Sequence, residues 1–253
     1  MHVRARCAHL AGTQHDAVLT PAPEIVASWP SRVHVVTRPA VSAVAFCPHP
    51  PLLRPGIATG IEIEMQSLRS ACNTAIDRLI GTSPHQLLVL GTDGPVVDWQ
   101  GFAPGLIDPD PQPLPLSLQV GAWLLSERTL RSAPSYVAIG RDGEPVTPWP
   151  DLPASTGLLV MGDGSARRSL KGPGYLDDRA EPFDESVVKA LVDGSPQSLG
   201  DLDLELAGQL LAAGAPAWIA AAKLLVAGTW RGDVLYADAP YGVMYTVATW
   251  LPA

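Results

Sequence analysis

Val41-Ser42-Ala43-Val44-Ala45-Phe46-Cys47-Pro48-His49-Pro50-Pro51 is an apolar run stopped by proline, and the segment after it has a different period. The first seven residues carry no charge, so they read as a buried strand. From Ile61 the apolar positions Met65, Leu68, Cys72, Ile76 and Leu79 recur at steps of three and four. Glu62, Gln66, Arg69, Asn73 and Asp77 take the other face, which predicts an amphipathic helix closed by Gly81. Strand, turn and helix then repeat. Strands are predicted at Gln86 to Leu90, Tyr136 to Ile139, Gly157 to Met161, Val234 to Tyr236 and Val243 to Trp250. Helices are predicted at Leu116 to Glu127, Pro182 to Val192 with Asp184 as N-cap, Leu202 to Ala213 and Ala217 to Val226. Such alternation indicates an α/β domain whose sheet is covered on both faces. A Pro-rich loop runs through Pro115, and no fixed-period repeat is visible.

Composition narrows the function classes. The chain has 253 residues, 47% hydrophobic and 17% charged, enough for a substantial core. Its mean hydropathy of +0.15 argues against disorder. A net charge of -8 argues against a nucleic-acid partner, which needs a basic face. The 26 prolines are about twice the usual share and imply stiff loops. Cys7, Cys47 and Cys72 form no CxxC pair, so neither a disulfide scaffold nor a structural zinc module is expected. No apolar stretch is long enough to span a membrane; Ala212 to Gly228 is interrupted by Lys223, Pro216 and glycines. A cytoplasmic protein without a secretory signal is the default reading.

Residues 1–40 differ from the rest. They hold four of the six histidines and carry +2, against -10 for the remainder. Their histidines lack ligand spacing. They read as an N-terminal extension, flexible or loosely docked, or as the product of an upstream start. The body, 41–253, reads as a single domain.

In open α/β sheets ligands sit at the carboxyl ends of strands, so the strand-end turns carry the candidate chemistry. His49 lies between prolines that fix the backbone, a setting that suits a metal ligand or general base as well as a histidine bonded locally. Asp93, in Gly91-Thr92-Asp93-Gly94-Pro95, reads as a ligand, a base or the support of its own turn. Asp163, Ser165, Arg167 and Arg168 leave a strand within Gly162-Asp163-Gly164-Ser165-Ala166-Arg167-Arg168-Ser169. Backbone amides and arginines there suit an anion, with Lys171 and Gly172-Pro173-Gly174-Tyr175 extending the turn as a lid. The acidic residues Asp177, Asp178 and Glu181 are placed to pair with these arginines and Arg179. Asp238, within Tyr236-Ala237-Asp238-Ala239-Pro240-Tyr241-Gly242, reads as a carboxylate ligand or a hairpin residue. There is no GxSxG, HExxH or Walker loop.

Three of these segments carry a family likeness. The Ala43 to Pro51 opening, the Gly162 to Ser169 turn and the Asp238-Ala239-Pro240-Tyr241-Gly242-Val243 ending resemble class III extradiol ring-cleavage dioxygenase catalytic subunits. These LigB-like proteins form a superfamily that includes the Memo proteins, and the nearest likeness is to its uncharacterised actinobacterial branch. The resemblance runs from Val41 to the C-terminus. It implies a three-layer α/β/α domain with a central mixed sheet. It also implies Fe(II) held by two His and one carboxylate, a facial site that binds catecholate and O2. His49 matches the first ligand. The second strand ends in Gly91-Thr92-Asp93-Gly94 instead of a His turn, and the acid/base His falls at Ala166. The third ligand region offers Asp238 or Tyr236.

Two functions follow as expectations. One is a divergent metal-dependent oxidoreductase acting on a small aromatic substrate. His49, Asp93 and Asp238 then hold Fe(II) or another divalent metal, and Arg167 or Arg168 anchors the substrate. The other is a catalytically inactive superfamily member that binds a small molecule or anion, with no metal cofactor. Both have a small-molecule partner, with no nucleic acid and no membrane. The resemblance also implies a homo-oligomer, because family enzymes are often multimeric.

Overall fold

The run of alternating apolar residues that opens the domain becomes the centre of its sheet. In the computed structural model, which describes residues 41–57, 60–99 and 113–253, β1 (Val41–Cys47) pairs in parallel with β4 (Thr156–Met161). Beyond β4 lie β2 (Gln86–Thr92) and, at one edge, β3 (Ser135–Ile139), all parallel. On the other side β6 (Tyr245–Pro252) runs antiparallel to β1 and pairs with the edge strand β5 (Trp230–Asp238). The order is β3-β2-β4-β1-β6-β5. Only β6 opposes the others, so five strands present their carboxyl ends at one edge.

Period-2 alternation divides the sheet's side chains between two cores. Val44, Phe46, Leu88, Leu90, Leu158, Val160 and Trp250 face one side. Ala45, Cys47, Val89, Leu159, Met161 and Val247 face the other. The second side is covered by α1 (Glu62–Gly81) and α2 (Leu116–Leu125). The first is covered by α3 (Ala180–Asp193), α4 (Pro196–Gly200), α5 (Leu204–Gln209) and α6 (Ala215–Leu225). This is the three-layer α/β/α arrangement around a mixed sheet. The Phe46 and Trp250 rings meet edge to face at 5.0 Å, and Trp230 stacks on Trp250 at 6.4 Å. Each fully buried ring of this size contributes about 1.5–3 kcal/mol. Met65, Leu68, Cys72, Ile76 and Leu79 of α1 are all buried, as their spacing predicts.

Several boundaries differ from the sequence reading. Gly81 does not cap α1: it is the last helical residue, Thr82 follows as C-cap, and Ser83 takes the left-handed conformation at φ 55°. The helix α3 begins two residues before Pro182, so Asp184 is an interior residue and not an N-cap. The segment predicted as one helix from Leu202 to Ala213 is broken. Asp203 instead caps α5, its carboxylate accepting from the Glu205 and Leu206 amides at 2.9 and 3.0 Å, and the chain leaves the helix at Leu211 with φ 56°. The expected extension 1–40, with Cys7 in it, and residues 100–112 of the Pro-rich loop lie outside the described residues. Those described belong to one compact unit, Arg38–Ala253. Among the described residues no helix is long and apolar enough to cross a membrane.

At the end of β4 two glycines let two elements touch. A Cβ on Gly162 would lie 2.6 Å from Gly214 Cα and 2.8 Å from Trp218 Nε1, so α6 reaches the sheet only because both positions lack side chains. Gly162→Ala is expected to destabilise the protein by about 1–3 kcal/mol through overpacking. Gly81→Ala, which meets open space at a helical position, is expected to be neutral or stabilising by up to about 1 kcal/mol. Thermal denaturation of the two variants checks this: equal melting temperatures refute the packing argument.

Candidate functional site

Helices that follow β1 and β2 cover one face of the sheet, and those that follow β4 cover the other. The chain therefore diverges on both sides of β4, which creates the crevices where α/β sheets place ligands. The turns after β1, β2, β3 and β4 all end here.

Between β1 and β4 the protein's own groups bond across the crevice. The ladder continues past the strands, with the Gly162 amide donating to Cys47 O at 2.9 Å. The His49 amide then donates to Asp163 Oδ1 at 2.7 Å. His49 Nδ1 lies 3.7 Å from the same oxygen, too far for a hydrogen bond. That nitrogen is buried and has no hydrogen-bond partner. Burial raises the Asp163 carboxyl, while the neighbouring His49 opposes the rise. The Tyr245 phenol is also pushed up, by burial first and then by Asp163 and by Tyr241 and Tyr236. Burial pushes the Cys72 thiol up, with Cys47 and Asp163 adding to it. Cys47 and Cys72 are both buried free thiols. His49 is thus set in a polar pocket of the core with 8% of its surface exposed.

The other sequence-derived ligands do not join it. Asp93 is exposed, and its amide donates to Ile139 O at 2.8 Å. Asp238 is the last residue of β5, exposed and opposite Tyr245, and its carboxylate accepts from the Ala239 amide at 2.7 Å. Tyr236 is half-buried within the same strand, and burial raises its phenol. Among the described residues, no three His, Cys, Asp or Glu side chains come together as a metal-binding group.

The Gly162 to Ser169 turn is built differently from an anion nest. Six of its amides are used internally: Gly162 to Cys47 O, Gly164 to Met244 O, Ser165 to Asp184 Oδ1, Ala166 to Leu210 O, Arg167 to Ser165 Oγ and Arg168 to Gly242 O. Ser165 is buried, and its hydroxyl donates to Leu210 O at 2.9 Å. Arg168 bonds Asp184 at 3.1 Å and Glu181 at 2.8 Å. Through these contacts the polar atoms of Ser165 and Arg168, read from the sequence as anion ligands, hold the turn to α3 and α5. Arg167 crosses Gly174 closely, and its buried Nε has no hydrogen-bond partner. Arg179 pairs with Asp177, holding that carboxyl down at about 2.

Asp184 is the residue that sequence reasoning misplaced. Its carboxylate accepts from the Ser165 amide at 2.9 Å and from Arg168 at 3.1 Å. Burial outweighs both and raises it to about 6.

On the other side of the switch the edge is open. A cavity of about 470 Å³ lies at the ends of β2 and β3, roofed by α5 and the start of α6. Thr92 and Asp93 enter it from β2, Arg141 from the turn after β3, and Leu204, Ala207 and Leu211 from the helical side. Arg141 was missed in the sequence reading. The signal was present, since Gly140-Arg141-Asp142-Gly143 repeats the pattern of glycine and charged residue that follows β2 and β4.

Two measurements test this geometry. Asp163→Ala leaves the buried His49 amide without its acceptor and is expected to cost about 1–3 kcal/mol, while Asp163→Asn retains an oxygen and costs less. Chemical denaturation separates them, and equal losses would show that the amide bond is not what Asp163 supplies. For Asp184, the unfolded chain ionises near pH 4 and the folded protein near 6. The folded state holds the extra proton in that window, so stability falls as pH rises through it, by on the order of 3 kcal/mol. Asp184→Asn is expected to remove that slope in a pH series of melts.

No family model matches the chain, and none of the curated proteins matches it.

Proposed function

We propose that this chain is a small-molecule-binding protein of the LigB-like superfamily whose ancestral metal and acid/base machinery has been lost. We place it in the cytoplasm, in keeping with its two buried free thiols. The observation that carries the reading is the His49–Asp163 contact. The one histidine that matches the family's ligand is buried against a neighbouring turn, and neither Asp93 nor Asp238 shares its surroundings. Facial metal sites need three donors within about 2.0–2.2 Å of one point. The residues present do not fit such an iron site. Ala166, where the family's acid/base histidine falls, has no proton to transfer. The described α/β/α layers agree with the superfamily's fold and support the likeness at that level.

The competing reading is a divergent dioxygenase-like enzyme that holds Fe(II) or another divalent metal on His49, Asp93 and Asp238. Elemental analysis of the full chain beside Asp238→Asn and His49→Ala, after anaerobic Fe(II) loading, separates the two. The expected outcome is the same substoichiometric iron in all three proteins and no oxygen uptake with catechol. Stoichiometric iron that both variants lose, with ring cleavage by the parent chain, would overturn the binding-protein reading.

A further inference from the structure

We propose that the 470 Å³ cavity beyond β2 and β3 binds a small zwitterion with an apolar body, an amino acid of the leucine or phenylalanine kind, through Arg141 and Asp93. This rests on the binding-protein reading and names the site and ligand class for it. The volume falls in the range of small-molecule pockets, roughly 300–1,000 Å³.

The charges decide the ligand class. Arg141 and Asp93 stand on the ends of adjacent strands, where the Asp93 amide donates to Ile139 O at 2.8 Å. They form no ion pair with each other, and neither side chain has another polar partner among the described residues. Glu205, from the first turn of α5, adds a second carboxylate to the wall. A plain carboxylate entering here gains Arg141 but faces two like charges. A plain amine gains the carboxylates but meets the guanidinium. A ligand carrying both groups matches both ends, with the guanidinium taking its carboxylate in a forked contact. Once the cavity fills and water leaves, an unmatched charge becomes costly.

The remaining wall is apolar and shaped for a side chain. Ala207 and Ala212 are buried beneath it, and Leu204 and Leu211 flank it. Leu211 holds φ 56° where α5 ends, its amide donating to Gly208 O at 3.2 Å and the Ala212 amide to Ala207 O at 2.9 Å, and is 46% exposed. Gly174 packs against Leu211, since a Cβ there would lie 2.8 Å from Leu211 Cδ1. Apolar side chains beside the charged groups fit a ligand with one charged end and one greasy end.

Isothermal titration of the full chain tests the proposal with matched probes. L-leucine and L-phenylalanine carry both charges, 4-methylpentanoate only the acid, and isopentylamine only the amine. At least one amino acid is expected to bind at least about tenfold more tightly than either single-charge probe. Arg141→Gln and Asp93→Asn are exposed changes, expected to leave the melting temperature of the free protein unchanged and to weaken the amino acid by about tenfold each. The proposal is overturned if neither amino acid binds, if a single-charge probe binds as well, or if both variants bind like the parent. Iron-dependent ring cleavage would instead sink the binding-protein reading and leave the titration result standing by itself.

Discussion

Past Cys47 and Met161 the ladder between β1 and β4 runs on for two more rungs, through Gly162 N to Cys47 O and His49 N to the Asp163 carboxylate. Much of the sheet's carboxyl edge hangs from that extension. The Asp163 carbonyl accepts from the Gly214 amide at 2.8 Å and so seats α6. Gly164 and Ser165 exchange bonds with Met244 and so fix the entry to β6. Ser165 and Arg168 reach Asp184 and so hold α3. One turn of seven residues ties two strands and two helices together. Its polarity is spent on the fold, because buried amides and carbonyls left without partners each cost free energy comparable to a lost hydrogen bond.

That accounting explains why the fold was more legible than the site. Buried strands and the α1 face are read from local periodicity, and the residues that set it, Phe46 or Leu68, do the same thing wherever they are. The layers followed from counting strands and helices in order. What local patterns could not show was competition for partners across the chain. Asp184 resembles a helix cap by its neighbours, but the Ser165 amide and Arg168, nineteen and sixteen residues away, claim its carboxylate inside the helix. The break at Leu211 is likewise tertiary. Ala166 N and Ser165 Oγ both bond the Leu210 carbonyl, which holds the end of α5 in place.

The candidate site divides along the same line. His49, Asp93, Asp163 and Asp238 were recognisable as strand-end residues, and all four do lie at the carboxyl edge. Which of them meet depends on strand order, and that order separates β2 from β1 by the width of β4. Asp93 consequently looks across to the turn after β3, where Arg141 stands, and not to His49. A histidine at the end of β2 would have faced the same geometry, so reaching a common metal depends on side-chain length and direction as well as on residue type.

Besides the divergence between β1 and β4, the edge opens at the ends of β2 and β3, and a fold does not prescribe which place is used. Between β1 and β4, Asp163 accepts from the His49 amide through its carboxylate and from the Gly214 amide through its carbonyl. At the ends of β2 and β3 the backbones are joined by the Asp93 amide and Ile139 O, while the Asp93 and Arg141 side chains form no ion pair with each other. Charged groups that stabilise the fold are expected to be paired or buried with partners, as Arg168 and Asp184 are. Among the described residues Arg141 and Asp93 satisfy neither condition, and they stand at strand ends beside Leu204, Ala207 and Leu211. Their lack of structural employment among the described residues is the reason the proposed binding site is placed at this crevice.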